Sequence, residues 1–142
     1  MKTKFNGKIH IVYDGMWGSC GKGKFCGELA LNPKNNIQVC VNNNAPNAGH
    51  SFVFDDGRKV ITKHIPVGFV NKNVPYLVIG ESAIIYYERL LYELTKYKDI
   101  LNGRQIYIAD TAAVISDKHK EQEIETIKSG STFSGAGAAL VD

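Results

Sequence analysis

Ile9-His10-Ile11-Val12-Tyr13-Asp14-Gly15-Met16-Trp17-Gly18-Ser19-Cys20-Gly21-Lys22-Gly23-Lys24-Phe25 is the stretch that decides the layout of this chain. The apolar run from Ile9 to Tyr13 predicts a buried strand, and Phe25 to Leu31 predicts a helix. The glycine- and lysine-rich segment between them is then a strand-to-helix turn. Glycines at 18, 21 and 23 let the backbone turn tightly and point successive N–H groups inward, and Lys22 and Lys24 add charge at the positive end of the helix dipole. Such a loop takes an anion, and a nucleotide phosphate is the expected ligand. It departs from the common G-x-x-x-x-G-K-[ST] phosphate loop, because Phe25 stands where that pattern has the hydroxyl residue that holds magnesium.

Beyond this stretch, Ile37 to Val41 predicts a second strand, followed by a polar loop at Asn42, Asn43 and Asn44. Ser51 to Phe54 and Lys59 to Thr62 flank Asp55-Asp56-Gly57, which predicts a hairpin. Tyr76 to Ile79 is a third apolar run, closed by Gly80, and Gln105 to Ala109 is a further strand. Ser82 is the expected cap of a helix from Ala83 to Lys98, with Ile84, Tyr87, Leu91, Leu94 and Lys98 on its inner face. This alternation predicts an α/β fold, P-loop-like, with a largely parallel central sheet flanked by helices and a β-hairpin insertion. Ligands in such sheets bind at the carboxyl ends of the strands, where the Ser19 loop and the Asn47-Ala48-Gly49-His50 loop both fall.

The 142 residues are 44% hydrophobic and 22% charged, enough for one domain with a core. No run approaches membrane-spanning length, and Lys4, Asn6, Lys8 and His10 interrupt any signal-peptide pattern, so a cytoplasmic protein with no membrane partner is expected. A net charge of +3, with lysines alternating with acids, is too small for a nucleic-acid footprint. Cys20, Cys26 and Cys40 have no C-x-x-C spacing and are odd in number, which reads as reduced thiols.

Four segments in order, W-G-S-C-G-K-G-K at 17–24, N-A-G-H-S at 47–51, H-I-P-V-G-F at 64–69 and G-S-T-F-S-G-A-G-A-A at 130–139, resemble the N-terminal part of the adenylosuccinate synthetase family. The resemblance covers nearly all of this chain but a minor part of a family member. It implies a ligase: a nucleoside triphosphate phosphorylates the 6-oxygen of a purine monophosphate, and the amino group of L-aspartate displaces that phosphate. It implies a nucleotide- and phosphate-binding set of Gly18, Ser19, Cys20, Gly21, Lys22, Gly23, Lys24, Gly49, His50 and Ser51. His50, Lys22 and Ser19 are the implied catalytic residues, with His50 assisting phosphoryl transfer. Ser19, Asn47, Ser131 and Thr132 are the implied purine contacts. Mg2+ is the implied cofactor, at the Gly49 carbonyl and Ser19, with GTP or ATP/dATP as phosphate donor.

The departures carry information too. The family pattern reads W-G-D-E-G-K-G-K, and its aspartate removes the purine N1 proton and binds magnesium; here that position is Ser19. A serine hydroxyl is too weakly acidic to serve as a general base near neutral pH. A family branch from phages whose DNA carries 2,6-diaminopurine has serine there and acts on dGMP in place of inosine monophosphate. A 2-amino group beside N1 would crowd a carboxylate, whereas serine leaves room and still hydrogen-bonds. Cys20 replaces the family's glutamate and reads as a small residue tolerated in a turn. Asp14, five residues before Ser19, is a candidate partial substitute for the missing carboxylate.

Among the other polar residues, His10 and His119 read as structural, as does His64, expected to reach a backbone carbonyl near Ile65 and Pro66. Glu81 and Glu88 read as helix-start and helix-surface charges. By family standards residues 1–142 are the N-terminal nucleotide-binding part of the domain. The expected partners are a purine monophosphate, L-aspartate and a triphosphate, with a homodimer or a complementing C-terminal half. The alternatives are an ordinary synthase acting on inosine monophosphate with GTP, or a non-catalytic nucleotide-binding remnant.

Overall fold

The computed structural model describes residues 7–15, 19–126 and 134–141. In chain order the elements are α1 (Lys22–Leu31), β1 (Val39–Asn42), β2 (His50–Val53), β3 (Lys59–Thr62), β4 (Tyr76–Ile79), β5 (Ile84–Ile85), α2 (Tyr87–Lys96), α3 (Lys98–Leu101), β6 (Gln105–Ile108), β7 (Ala113–Val114), α4 (Asp117–Thr126) and α5 (Ala136–Ala139). Two 3₁₀ turns lie at Pro33–Asn35 and Val67–Val70.

The α/β expectation is met. Strands β1, β4 and β6 form a parallel sheet in the order β1-β4-β6, with Val39 opposite Tyr76 and Tyr76 opposite Gln105. The expected hairpin is β2 against β3, His50 facing Thr62 and Val53 facing Lys59, and its turn closes with the Phe54 N–H on the Arg58 carbonyl at 2.9 Å. A second, two-stranded parallel ladder joins β5 to β7.

The core lies between the sheet, the hairpin and α2. Ile65, Phe69, Val74, Leu77 and Ile79 are wholly buried, and Phe52 and Val60 bring the hairpin onto the same cluster. Each such aliphatic or aromatic side chain contributes about 1.5–3 kcal/mol by leaving water. Helix α1 packs through its small residues Gly23, Gly27 and Ala30. That brings it close to β2 and to the Val67–Val70 turn.

Three expectations are corrected. Residues 7–14 join no ladder, and Ile9, Ile11 and Tyr13 are 75%, 78% and 81% exposed, so the expected buried strand is absent. An apolar run becomes a buried strand only where a neighbouring strand takes its N–H and C=O groups and another layer covers its side chains. Among the described residues no strand does so.

The expected helix from Ala83 starts late. Ile84 and Ile85 are drawn into the ladder with Ala113 and Val114, and α2 begins at Tyr87 with no side-chain cap. Its inner face is Leu90, Glu93 and, past its end, Tyr97, whereas Tyr87 and Leu91 are exposed. A carboxylate on the buried stripe rotated the true face away from the apolar count.

His64 is structural, but its ring nitrogen Nε2 accepts the Tyr86 N–H at 3.3 Å and does not donate to a nearby carbonyl. Helix α4 was not expected. Its charged sequence hides a reciprocal cap, with His119 Nδ1 accepting the Ser116 N–H at 3.1 Å and Ser116 Oγ accepting the His119 N–H at 3.4 Å.

Candidate nucleotide-binding site

Helix α1 starts at Lys22, after Gly21 in the left-handed conformation (φ 75°) and with no side-chain cap. The N–H groups of its first turn therefore point out of the helix start into the loop, in the arrangement that suits an anion. Gly23 is buried there, and a Cβ on it would come within 2.7 Å of the Ser51 carbonyl, 2.8 Å of the Ser51 nitrogen and 3.0 Å of His50 Cβ. Only glycine permits this approach, and it sets the helix start directly on the first two residues of β2. Two expected motifs, the glycine-lysine loop and Asn47–His50, are thereby brought together.

Lys22 is half-buried and paired with Asp14, its ammonium donating to Oδ2, while Asp14 Oδ1 is buried with no partner among the described residues. A cleft of about 670 Å³ opens beside this pair, lined by Ile11, Tyr13, Asp14, Cys20, Lys22 and Phe25 among others. Ser19, Cys20 and Gly21 are exposed on the loop, and Lys24 is exposed with its ammonium 3.7 Å from Glu28. Gly18, Ser131 and Thr132 lie outside the described residues.

Gly49 is exposed and His50 half-buried. Burial pushes the His50 imidazole below its ordinary 6.5, and the Lys22 ammonium pushes the same way, so the ring is neutral near pH 7. Its Nε2 meets the Asn44 amide. A neutral imidazole hydrogen-bonds without adding charge to a site that already carries lysines. Ser51 is exposed, opposite Ile61 in the hairpin.

The C-terminal stretch also reaches this place. Ser134 Oγ donates to Asn47 Oδ1 at 3.0 Å, and Glu123 accepts the Gly135 N–H at 2.7 Å and the Gly137 N–H at 3.3 Å, capping α5 with a buried carboxylate.

Burial pushes the Cys40 thiol up to about 11 and Cys26 upward, which keeps both protonated, in line with inert reduced thiols. Sequence reasoning missed Asn44, Glu93, Glu123 and Ser134. Glu93 carried a legible signal, since it falls three residues after Leu90 and four before Tyr97, on the stripe that α2 buries. Asn44 carried none, as its use depends on where the hairpin lands.

A sequence model of adenylosuccinate synthetase matches residues 11–142. The N6-succino-2-amino-2'-deoxyadenylate synthase of Vibrio phage phiVC8 is 34% identical over 137 residues, 94% of this chain and 39% of the phage protein. The adenylosuccinate synthetase of Thermococcus sibiricus is also 34% identical over 137 residues, 94% of this chain and 40% of that protein. Among solved structures, the succinoaminodeoxyadenylate synthetase of Cyanophage S-2L, bound to dGMP and to dATP as an energy donor, superposes with a TM-score of 0.72 at 32% identity, over 88% of this chain and 35% of that one. The chain spans about two fifths of the length of these curated relatives.

Proposed function

The chain belongs to the adenylosuccinate synthetase family, and from that premise we propose that it is the N-terminal nucleotide-binding part of a C–N ligase that joins L-aspartate to the 6-position of dGMP. The supporting observation is the seating of the α1 start on His50 and Ser51 through Gly23. It sets the anion-binding end of a helix and a neutral histidine side by side, with Ser19 on the same loop.

In this reading the first-turn N–H groups of α1 and Lys22 hold the donor phosphates, and incoming phosphate competes with Asp14 for the Lys22 ammonium. The purine 6-oxygen attacks the terminal phosphorus, the bond to the diphosphate breaks, and His50 donates a hydrogen bond to the oxygen on which charge develops. The amino group of aspartate then attacks C6, and inorganic phosphate leaves with the bonding pair. Ser19 accepts the 2-amino group of guanine without crowding it. The N1 proton passes to a carboxylate, and Asp14 is the one at this loop. Asn47, Ser131 and Thr132 contact the purine nucleotide.

Among the described residues no three His, Cys, Asp or Glu side chains gather into a metal cluster. The Gly49 carbonyl, the Ser19 hydroxyl and Asp14 Oδ1, which has no partner among the described residues, are hard oxygen donors of the kind Mg2+ takes, and these residues would hold it. Bound there, Mg2+ would neutralise phosphate charge. The donor is ATP or dATP, with GTP the alternative, and the aspartate contacts belong to the part of the relatives' length that this chain does not span. Among the described residues no helix is long and apolar enough to cross a membrane, and the proposed setting is the cytoplasm.

Calorimetric titration of ATP into the chain and into Lys22→Ala tests the loop: the variant should bind 10- to 100-fold more weakly, about 1.5–3 kcal/mol, and equal affinities sink the assignment. Substrate choice is read by supplying the complementary C-terminal portion and assaying dGMP against inosine monophosphate, with wild type and Ser19→Asp. Wild type should prefer dGMP and the variant should lose that preference. A wild type preferring inosine monophosphate returns the chain to the ordinary synthase branch.

A further inference from the structure

We propose that Asn44 is the positioning residue of His50, its amide fixing the ring's orientation and leaving the proton on Nδ1, and that a buried polar relay ending at Glu93 holds Asn44 in place. The proposal rests on the reading of His50 as a phosphoryl-transfer donor only for its consequence in catalysis; the relay itself stands on geometry.

The relay is continuous. Asn44 Nδ2 meets His50 Nε2, so that ring nitrogen is the acceptor and the other carries the hydrogen. The Asn44 backbone is gripped at both ends: its N–H donates to Asn42 Oδ1 at 3.2 Å, and its carbonyl accepts the Ile84 N–H at 3.3 Å. Asn42 is buried, and its Nδ2 donates to the carbonyls of Lys63 and His64, each at 3.0 Å. The N–H groups of Lys63, His64 and Ile65 donate in turn to the carboxylate of Glu93, at 2.7, 3.1 and 3.1 Å. Glu93 is wholly buried, with Arg89 Nε 3.3 Å away.

Helix α1 closes on the base of the same side chain, where Gly23 lies against His50 Cβ. With the helix against its Cβ and the amide at its Nε2, the side chain is held at both ends. A carboxylate in place of the amide would take the ring hydrogen onto Nε2 and leave Nδ1 bare. An amide nitrogen does the reverse and keeps an N–H free for an incoming phosphoryl oxygen. The neighbouring Asn43 has no such role; its side chain lies over Gly80.

Nitrogen-15 NMR of histidine-labelled chain, at a pH where His50 is neutral, reads which ring nitrogen carries hydrogen. Wild type should show the Nδ1–H form at His50. Asn44→Ala should shift the population toward Nε2–H, and Asn44→Asp should reverse it outright. Amide exchange at Lys63–Ile65 should stay unchanged in both variants, showing that the fold behind is intact. A wild type in the Nε2–H form, or an Asn44→Ala spectrum identical to wild type, overturns the proposal. Because this signature needs neither turnover nor nucleotide, it stands or falls apart from the Lys22→Ala titration that tests the proposed function.

Discussion

Two carboxylates, Glu93 and Asp14, are held in opposite ways. Glu93 is wholly buried, takes three backbone N–H groups from residues 63–65 and pairs with Arg89. Among the described residues Asp14 sits at the end of a segment that joins no ladder, takes one ammonium from Lys22, and keeps one oxygen without a partner. On the hairpin side the backbone is fixed before any ligand arrives. On the loop side the main polar contact is the ion pair that, in the proposed function, a phosphate displaces. The difference is one of preorganisation: binding free energy need order only one wall of the site.

The largest test of that contrast is Glu93→Leu. It leaves three buried N–H groups and Arg89 without their acceptor and should cost about 3–5 kcal/mol of stability in urea unfolding. Asp14→Asn, by contrast, should change stability by less than about 1 kcal/mol, because its ion pair is partly exposed. Equal losses would dissolve the comparison.

Gly23→Ala comes next. The added methyl meets the Ser51 backbone, and the strain of about 1–3 kcal/mol has to be relieved by lifting α1 from β2. Triphosphate affinity should fall along with the melting temperature. A stable variant that binds ATP as wild type does would separate the helix start from the hairpin as functional partners.

A smaller effect is expected from pH. Burial sets His64 below its ordinary 6.5, a shift that Glu93 opposes and Lys63 and Arg89 reinforce, and His50 is lowered too. The unfolded chain then binds protons more readily than the folded one, so stability is fully present above about pH 6.5 and declines as pH falls toward the folded values. Urea midpoints at pH 7.5 and pH 5.5 should show that loss. His64→Gln should flatten it, and a slope unchanged in the variant would assign the loss elsewhere.

The smallest effect belongs to Ile11→Ser. Ile11 is 78% exposed, so the change should stay within about 0.5 kcal/mol, where the same substitution at Ile65 would be severe. A large loss at Ile11 would show that the segment is covered in solution.

Local chemistry made much of the architecture readable. The apolar run at Tyr76–Ile79, the Asp-Asp-Gly turn and Gly21 before α1 all specify their own backbone within a few residues. The loop motifs were readable for the same reason, because turn conformation and a helix start need only neighbours in sequence.

What the sequence by itself determined, then, is where the three strands of the parallel sheet, the hairpin and the glycine-rich start of α1 lie, since these depend on side-chain periodicity and short-range sterics. Tertiary structure alone decided the rest. Whether Ile9–Tyr13 is buried depends on a partner strand, and which face of α2 turns inward depends on Glu93 finding the N–H groups of a segment 28 to 30 residues earlier. Ser134 and Asn47 meet across 87 positions. Whether such distant groups meet depends on packing and on satisfying buried polar atoms, and no local window of residues contains that information.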